Sequence, residues 1–280
     1  FIYILMINKK YLKNLRCKEI NNKNDFIFNC YSEAIIDSLE IIRLNFQNIL
    51  ILGDQGTMIY KFVQKKFNNS SIKVYDFNNI NSNNTIEKIK DIDLLEIEKN
   101  KYDLIISNMI LSLSDNLENL LHKVINSLTP NGFFLATIPS LENFYSLKSA
   151  MIKTDIEIYG GAYNRFNKTI ELQQLIEILK KNNYTNPSVN LEIIKLEYQT
   201  FNKLLLDVRS MNLSYYYDDK KNTFENKNYF KKLEKNYSKN KKNNFDVTSN
   251  FYIVTGWKDH SSQQKPLKPG QVKNKLKDFL

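Results

Sequence analysis

A short run of acids and glycines carries the chemistry this chain can do. The stretch 48-NILILGDQGTMIYKFVQKKF-67 places Gly53, Asp54, Gln55 and Gly56 between an apolar run and a helical one. Gly53 lets the backbone turn sharply where the apolar run ends. Gly56 keeps the loop slim where a ligand would lie. The helix that follows offers free N–H groups and a positive dipole end. Asp76, followed by Phe77, lies 23 residues after Gly53. A carboxylate at that spacing, at the end of a second apolar run, can accept both hydroxyls of a ribose. Asp91, followed by Ile92, ends a third run, where an acid can hold the exocyclic amine of adenine. Asn108 ends a fourth.

The ligand this set suits is not a dinucleotide. A pyrophosphate favours a fuller set of glycines, and Asp54 would repel two phosphates. An amino-acid-bearing nucleoside fits better: its ribose meets Asp76, its adenine meets Asp91, and its carboxylate and ammonium meet the loop. That description is S-adenosylmethionine. Methyl transfer from a sulfonium is an in-line displacement that rests mainly on proximity and alignment. The sequence holds no Ser-His-Asp or paired-carboxylate pattern, and such a reaction needs none.

These residues need a sheet to position them. Residues 7–47 have apolar positions at helical spacing. Asn48–Gly53, Ser71–Asp76, a part of Ile86–Ile92, Tyr102–Asn108 and Phe133–Ile138 are expected strands. Met58–Phe67 and Asp115–Leu128 are expected helices, the latter opened by the capping-box spacing Asp115…Glu118. Pro130-Asn131-Gly132 is an expected turn. Nearly all-apolar strands alternating with helices mean a parallel sheet covered on both faces. In such a sheet the ligand lies at the carboxyl ends of the strands, here Gly53, Asp76, Asp91 and Asn108. Beyond Pro139 the pattern loosens. Glu171–Asn182, Thr200–Met211 and a segment around Phe224–Tyr237 are expected helices; Ser188–Leu196 and Phe251–Trp257 are expected strands.

Composition narrows the function classes. The chain has 280 residues, 42% apolar, with five prolines, seven glycines and a formal charge of +10. Much of the excess charge lies in the tail half, in runs such as 231-KKLEKNYSKNKK-242, and reads as a solvated face. No basic motif interleaved with base-stacking aromatics is present, so no nucleic-acid partner is expected. Two cysteines and two histidines exclude a disulfide scaffold and a histidine-rich metal site. The apolar start 1-FIYILMINKKYLKNL-15 is too short for a membrane span and lacks signal-peptide order. Met6 is the expected start, and the chain is expected in the cytoplasm of a bacterium or the mitochondrial matrix of a eukaryote.

Several stretches carry a closer resemblance. The order of motifs resembles the class I methyltransferases. MINKKYLKNL, the block 91-DIDLLEIEKNKYDLIISNMILSLSDNLENLLHKVINSLTPNGFFLATI-138, GGAYNRF, LLLDVRSMN and FYIVTGWKDHSSQQKP together resemble the complex I assembly factor 5 group and its relative, the malonyl-carrier-protein methyltransferase of biotin synthesis. The resemblance implies an α/β, Rossmann-like class I methyltransferase fold: a mostly parallel seven-stranded sheet, helices on both faces and a helical lid insertion. By position it matches Gly53 to the first loop glycine, Asp76 to the ribose acid and Asp91 to the adenine-side acid. Asn108 falls where the family lines its site. Gln55 and Thr57 replace the family's later loop glycines, and Ser112-Leu113 replace its usual His-Trp pair.

The implied organisation is an N-terminal helical segment at 1–47 and a cofactor-binding core at 48–139. A lid with the remaining helices and last strands follows at 140–257, with a polar insertion at 213–250, and then a polar tail at 258–280. In the lid, Gly160-Gly161 are expected hinges, Tyr145, Tyr163 and Phe166 expected walls, and Arg165 a candidate clamp for an acidic substrate. Arg165 has a bland alternative as the ionic partner of Asp207 or Glu157. Three functional readings stay open. One is a methyltransferase-like protein serving complex I assembly with a complex I subunit as partner. The second is a methyltransferase for a small acidic or carrier-bound acyl group. The third is a non-catalytic binding protein on the same fold.

Overall fold

The computed structural model describes residues 6–16, 26–54, 57–77, 86–211, 215–221 and 225–263. Gln55, Gly56 and the tail beyond residue 263 lie outside them. One seven-stranded sheet organises these residues: β1 Asn48–Leu52, β2 Ser71–Asp76, β3 Ile86–Lys88, β4 Tyr102–Asn108, β5 Leu128–Pro139, β6 Tyr184–Tyr198 and β7 Phe245–Lys258. Their order is β3-β2-β1-β4-β5-β7-β6. β7 runs antiparallel to both neighbours, and the other pairings are parallel. The strand order reverses between β1 and β4, which makes their carboxyl ends the switch point where a crevice forms.

β1 and β4 are apolar because both sheet faces are covered. Side chains alternate across a strand, and the core follows that alternation. Ile49, Ile51, Leu104 and Ile106 pack beneath α2 Phe26–Ile41 and α3 Met58–Lys66, through Ile35, Leu39, Ile59 and Val63. Leu50, Leu52 and Ile105 face the other way, towards Leu120, Leu121 and Val124 of α4 Leu117–Ser127. Each such aliphatic side chain contributes about 1.5–3 kcal/mol on full burial.

The N-terminal stretch departs from the expected continuous helix. α1 spans Lys9–Arg16, α2 ends at Ile41, and the chain runs irregularly from Ile42 into β1. Asn8 opens α1, its side chain accepting the Tyr11 N–H at 2.8 Å. α4 begins at Leu117, and its cap is Asn116, which accepts the Asn119 N–H at 2.9 Å. Asp115, the expected cap, instead accepts the Ile7 N–H at 2.8 Å and so anchors the start of the chain. The Pro130–Gly132 turn is an irregularity inside β5, where the pairing with β4 slips and Asn131 takes a positive φ of 62°.

The second half is more ordered than its sequence suggests. α5 Tyr145–Tyr159 is a 15-residue helix in the stretch that showed no pattern. α6 Leu172–Lys181, α7 Phe201–Ser210 and α8 Lys227–Asn236 fall where helices are expected. Gly160 is the left-handed cap that ends α5, with φ 74° and its N–H on the Ile156 carbonyl. Helices commonly end on such a glycine, so its geometry accounts for it without a hinge. Trp257 packs on Phe133 across the β5–β7 pair, with ring centroids 4.4 Å apart. No helix of the described residues is long and apolar enough to cross a membrane.

Candidate functional site

The site begins at the end of β1. Gly53 holds φ 77°, and a Cβ there would stand 2.8 Å from the Asn108 carbonyl oxygen and 3.0 Å from Ile110 Cβ. The loop therefore needs glycine twice over, for its dihedral and for the close pass beneath β4. Thr57 and Met109 also take left-handed conformations, at φ 57° and 62°. Such conformations cost about 1–3 kcal/mol each and cluster at functional sites.

Asp54 lies 3% exposed beneath the loop. Its carboxylate accepts the N–H of Tyr60 at 2.9 Å and of Ile59 at 3.3 Å. The first turn of α3 is thus satisfied from within, and an outside phosphate would compete with a fixed carboxylate for the same N–H groups. Burial pushes the Asp54 carboxyl up to about 6, against those two hydrogen bonds and with a further push from Asp76. Asp76 ends β2 and is buried at 4% exposure. Two buried acids thus interact at the ends of β1 and β2.

The other expected residues are placed differently. Phe77 and Ile92 are core side chains, packed with Leu52, Tyr75 and Ile89. The Asn108 amide donates to Ser32 Oγ at 3.0 Å and its side-chain oxygen accepts from Thr137 at 2.7 Å. It ties α2 and β5 to the end of β4, and its carbonyl lies close to Gly53. Asp91 is half-buried and pairs with Lys9 at 3.0 Å. Lys9 Nζ also meets Asp93 and, at 3.1 Å, Asp115. Burial works against the Lys9 charge, but hydrogen bonds to Asp93, Asp91 and Asp115 outweigh it and raise the pKa. Neither Lys9 nor its triple partnership is visible in local sequence.

The expected substrate residues do not form one group. Tyr145 is 66% exposed and lines a surface depression with Ala150 and Tyr237. Tyr163 and Arg165 line a separate cavity beside α5. Arg165 grips the buried Asp155 through Nε and Nη2 and meets Glu225 at 2.8 Å. These acids, not Asp207 or Glu157, are its ionic partners. Its guanidinium also lies 4.5 Å from the Tyr229 ring, within cation–π range. Among the described residues no cluster of His, Cys, Asp and Glu is arranged to hold a metal ion.

The fit to S-adenosylmethionine is partial. Asp54 and Asp76 suit a ligand that carries an ammonium and a ribose. The α3 N-terminus, already capped by Asp54, does not suit a phosphate. Asp91 stands engaged by Lys9.

The strand order, the single antiparallel strand β7 and the glycine turn after β1 define a Rossmann-like fold of the class I methyltransferase kind. A solved Bacillus halodurans protein assigned to the methyltransferases superposes with a TM-score of 0.50 at 10% identity, over 81% of this chain and 98% of that one. In sequence, the chain is similar to the arginine-hydroxylase NDUFAF5, mitochondrial, of Dictyostelium discoideum: 28% identical over 293 aligned residues, covering 91% of this chain and 65% of that protein. The human protein of the same name is 22% identical, over 89% of this chain and 75% of its own length. The chain therefore spans somewhat under two thirds of the amoebal relative. No family model matches it.

Proposed function

We propose that this chain is an S-adenosylmethionine-binding, methyltransferase-like protein that serves the assembly of respiratory complex I. The observation that carries the reading is the similarity to the arginine-hydroxylase NDUFAF5 proteins across 91% of the chain, on a fold of the methyltransferase kind. When bound, S-adenosylmethionine supplies an electrophilic methyl group on a sulfonium. Asp76, at the β2 end, is assigned to the ribose hydroxyls. Asp54, with Gln55 and Gly56 of the same loop, is assigned to the amino-acid end, where a ligand ammonium would offset the cost of its buried charge. Gly53 and the Asn108 carbonyl form the floor. Asp91 is assigned to the adenine side, with Lys9 paired to its Oδ1.

Complementation tests the link to complex I. The chain, fused to a mitochondrial presequence, is expressed in Dictyostelium cells that lack their arginine-hydroxylase NDUFAF5. Recovered complex I activity with the wild-type chain, and none with Asp76→Ala at equal abundance, is the expected result. No recovery with a well-expressed wild-type chain would overturn the assembly role.

A further inference from the structure

A cavity of about 470 Å³ opens between α5 and the segment 162–169. Leu141, Met151, Ile152 and Phe166 give it apolar walls. Among the described residues three cations line it, Lys148, Arg165 and Lys168, and none of its lining residues is an acid. The three differ in what they have left to offer. Arg165 is neutralised by Asp155 and Glu225. Lys168 is exposed at the rim, its ammonium 5.3 Å from the Tyr217 ring.

Lys148 is half-buried. Its ammonium donates to the Leu141 carbonyl at 3.2 Å and lies 5.5 Å from the Phe166 ring. An ammonium has three donors, and no carboxylate among the described residues pairs with this one. Burial alone acts on it and depresses its pKa. A partly desolvated cation without a counter-ion is costly to keep, and an anionic ligand would remove that cost.

Lys148, Phe166 and Asn167 also line a second, much smaller void with Ser112 and Pro139. Ser112 follows β4 and Pro139 closes β5. Ser112 stands at the position noted in the sequence for lacking the usual His-Trp pair.

We propose that this cavity binds an organic acid, a single carboxylate on an apolar chain, with the carboxylate held by Lys148. One uncompensated ammonium matches one negative charge, and the aliphatic and aromatic walls match the chain. A guanidinium or ammonium ligand would meet a like charge at the same place. Binding of the acid at Lys148 does not depend on the methyltransferase reading.

The test is calorimetric titration of the full chain with three probes that share an eight-carbon tail: sodium octanoate, octan-1-ol and octylammonium chloride. Wild type, Lys148→Met and Lys148→Arg are compared, and wild type is titrated separately with S-adenosylmethionine. Octanoate should bind wild type, lose about tenfold or more in affinity in Lys148→Met, and recover to within about threefold in Lys148→Arg. Octylammonium should give no saturable heat. Equal octanoate binding by wild type and Lys148→Met, or octylammonium binding as tight as octanoate, would overturn the proposal. If Lys148→Met fails to fold, the head-group series on wild type and Lys148→Arg decides. Discrimination among head groups without S-adenosylmethionine binding would leave the acid site standing and remove the cofactor reading. The reverse pattern would remove the acid site alone.

Discussion

Lys9 Nζ stands 3.0 Å from Asp91 Oδ1, and the same ammonium joins Asp93 and Asp115. The first helix is thereby fastened over the β3 end of the sheet by a single lysine. Backbone bonds reinforce it: Ile7 donates to Asp115 at 2.8 Å and Asn8 to the Tyr216 carbonyl at 2.7 Å. Lys9→Met should leave three neighbouring carboxylates without their cation and cost about 1–2 kcal/mol, since all four side chains are partly solvated. Thermal melts should show the gap between variant and wild type narrowing in high salt, because the residual repulsion is screened. An unchanged melting temperature at low salt would show that the cluster contributes nothing.

Asp54 sets a pH dependence with a definite sign. Its carboxyl is raised from 3.8 to about 6, chiefly by burial. The folded chain therefore holds that proton more tightly than the unfolded chain. The contribution to stability is full below the unfolded pKa and is lost as pH rises through about 6. Asp54→Asn removes this titration. Relative to wild type, the variant should gain about 1–3 kcal/mol between pH 4 and pH 7.5. Paired denaturant melts across that range measure it; a flat difference would show that Asp54 is not desolvated.

Arg165 answers to a structural role. Asp155 is fully buried, and its carboxylate is met by Arg165 and by the Tyr163 N–H at 3.2 Å. Burial opposes the Arg165 charge, but its bonds to Asp155 and Glu225 raise its pKa further. Arg165→Met should cost about 3–5 kcal/mol by stranding the Asp155 charge. Asp155→Asn in the same chain should recover part of it. Denaturation midpoints decide; a loss under about 0.5 kcal/mol would release Arg165 from this role.

The parts legible in the sequence are those whose cause is local. NILIL and YDLIISN are read as buried parallel strands because nothing but burial on both faces explains runs so apolar. Asp76 is placed at the β2 end by the length of one strand–helix–strand unit. α5 is hidden for an equally local reason: Ile152, Thr154, Ile156 and Ile158 alternate as in a strand, and Phe144, at its N-cap, offers no side-chain cap. What no local pattern carries is pairing across the chain. Lys9 and Asp93 are 84 residues apart, and Arg165 and Glu225 are 60 apart. Asp91 reads as a site acid from its strand end, and its pairing with a helix far upstream leaves no local trace. Lys148 escapes notice for the opposite reason, since a lysine lacking an acid partner leaves no signature in a lysine-rich chain.

The central claim is that the crevice at Gly53, Asp54 and Asp76 holds S-adenosylmethionine. Calorimetric titration of the purified chain, with Asp76→Ala alongside, tests it most directly. The account predicts a dissociation constant in the micromolar range, about 1–100 μM, weakened about tenfold or more in the variant as the ribose loses its acceptor. No saturable heat with folded wild-type protein, or equal binding by Asp76→Ala, would contradict it.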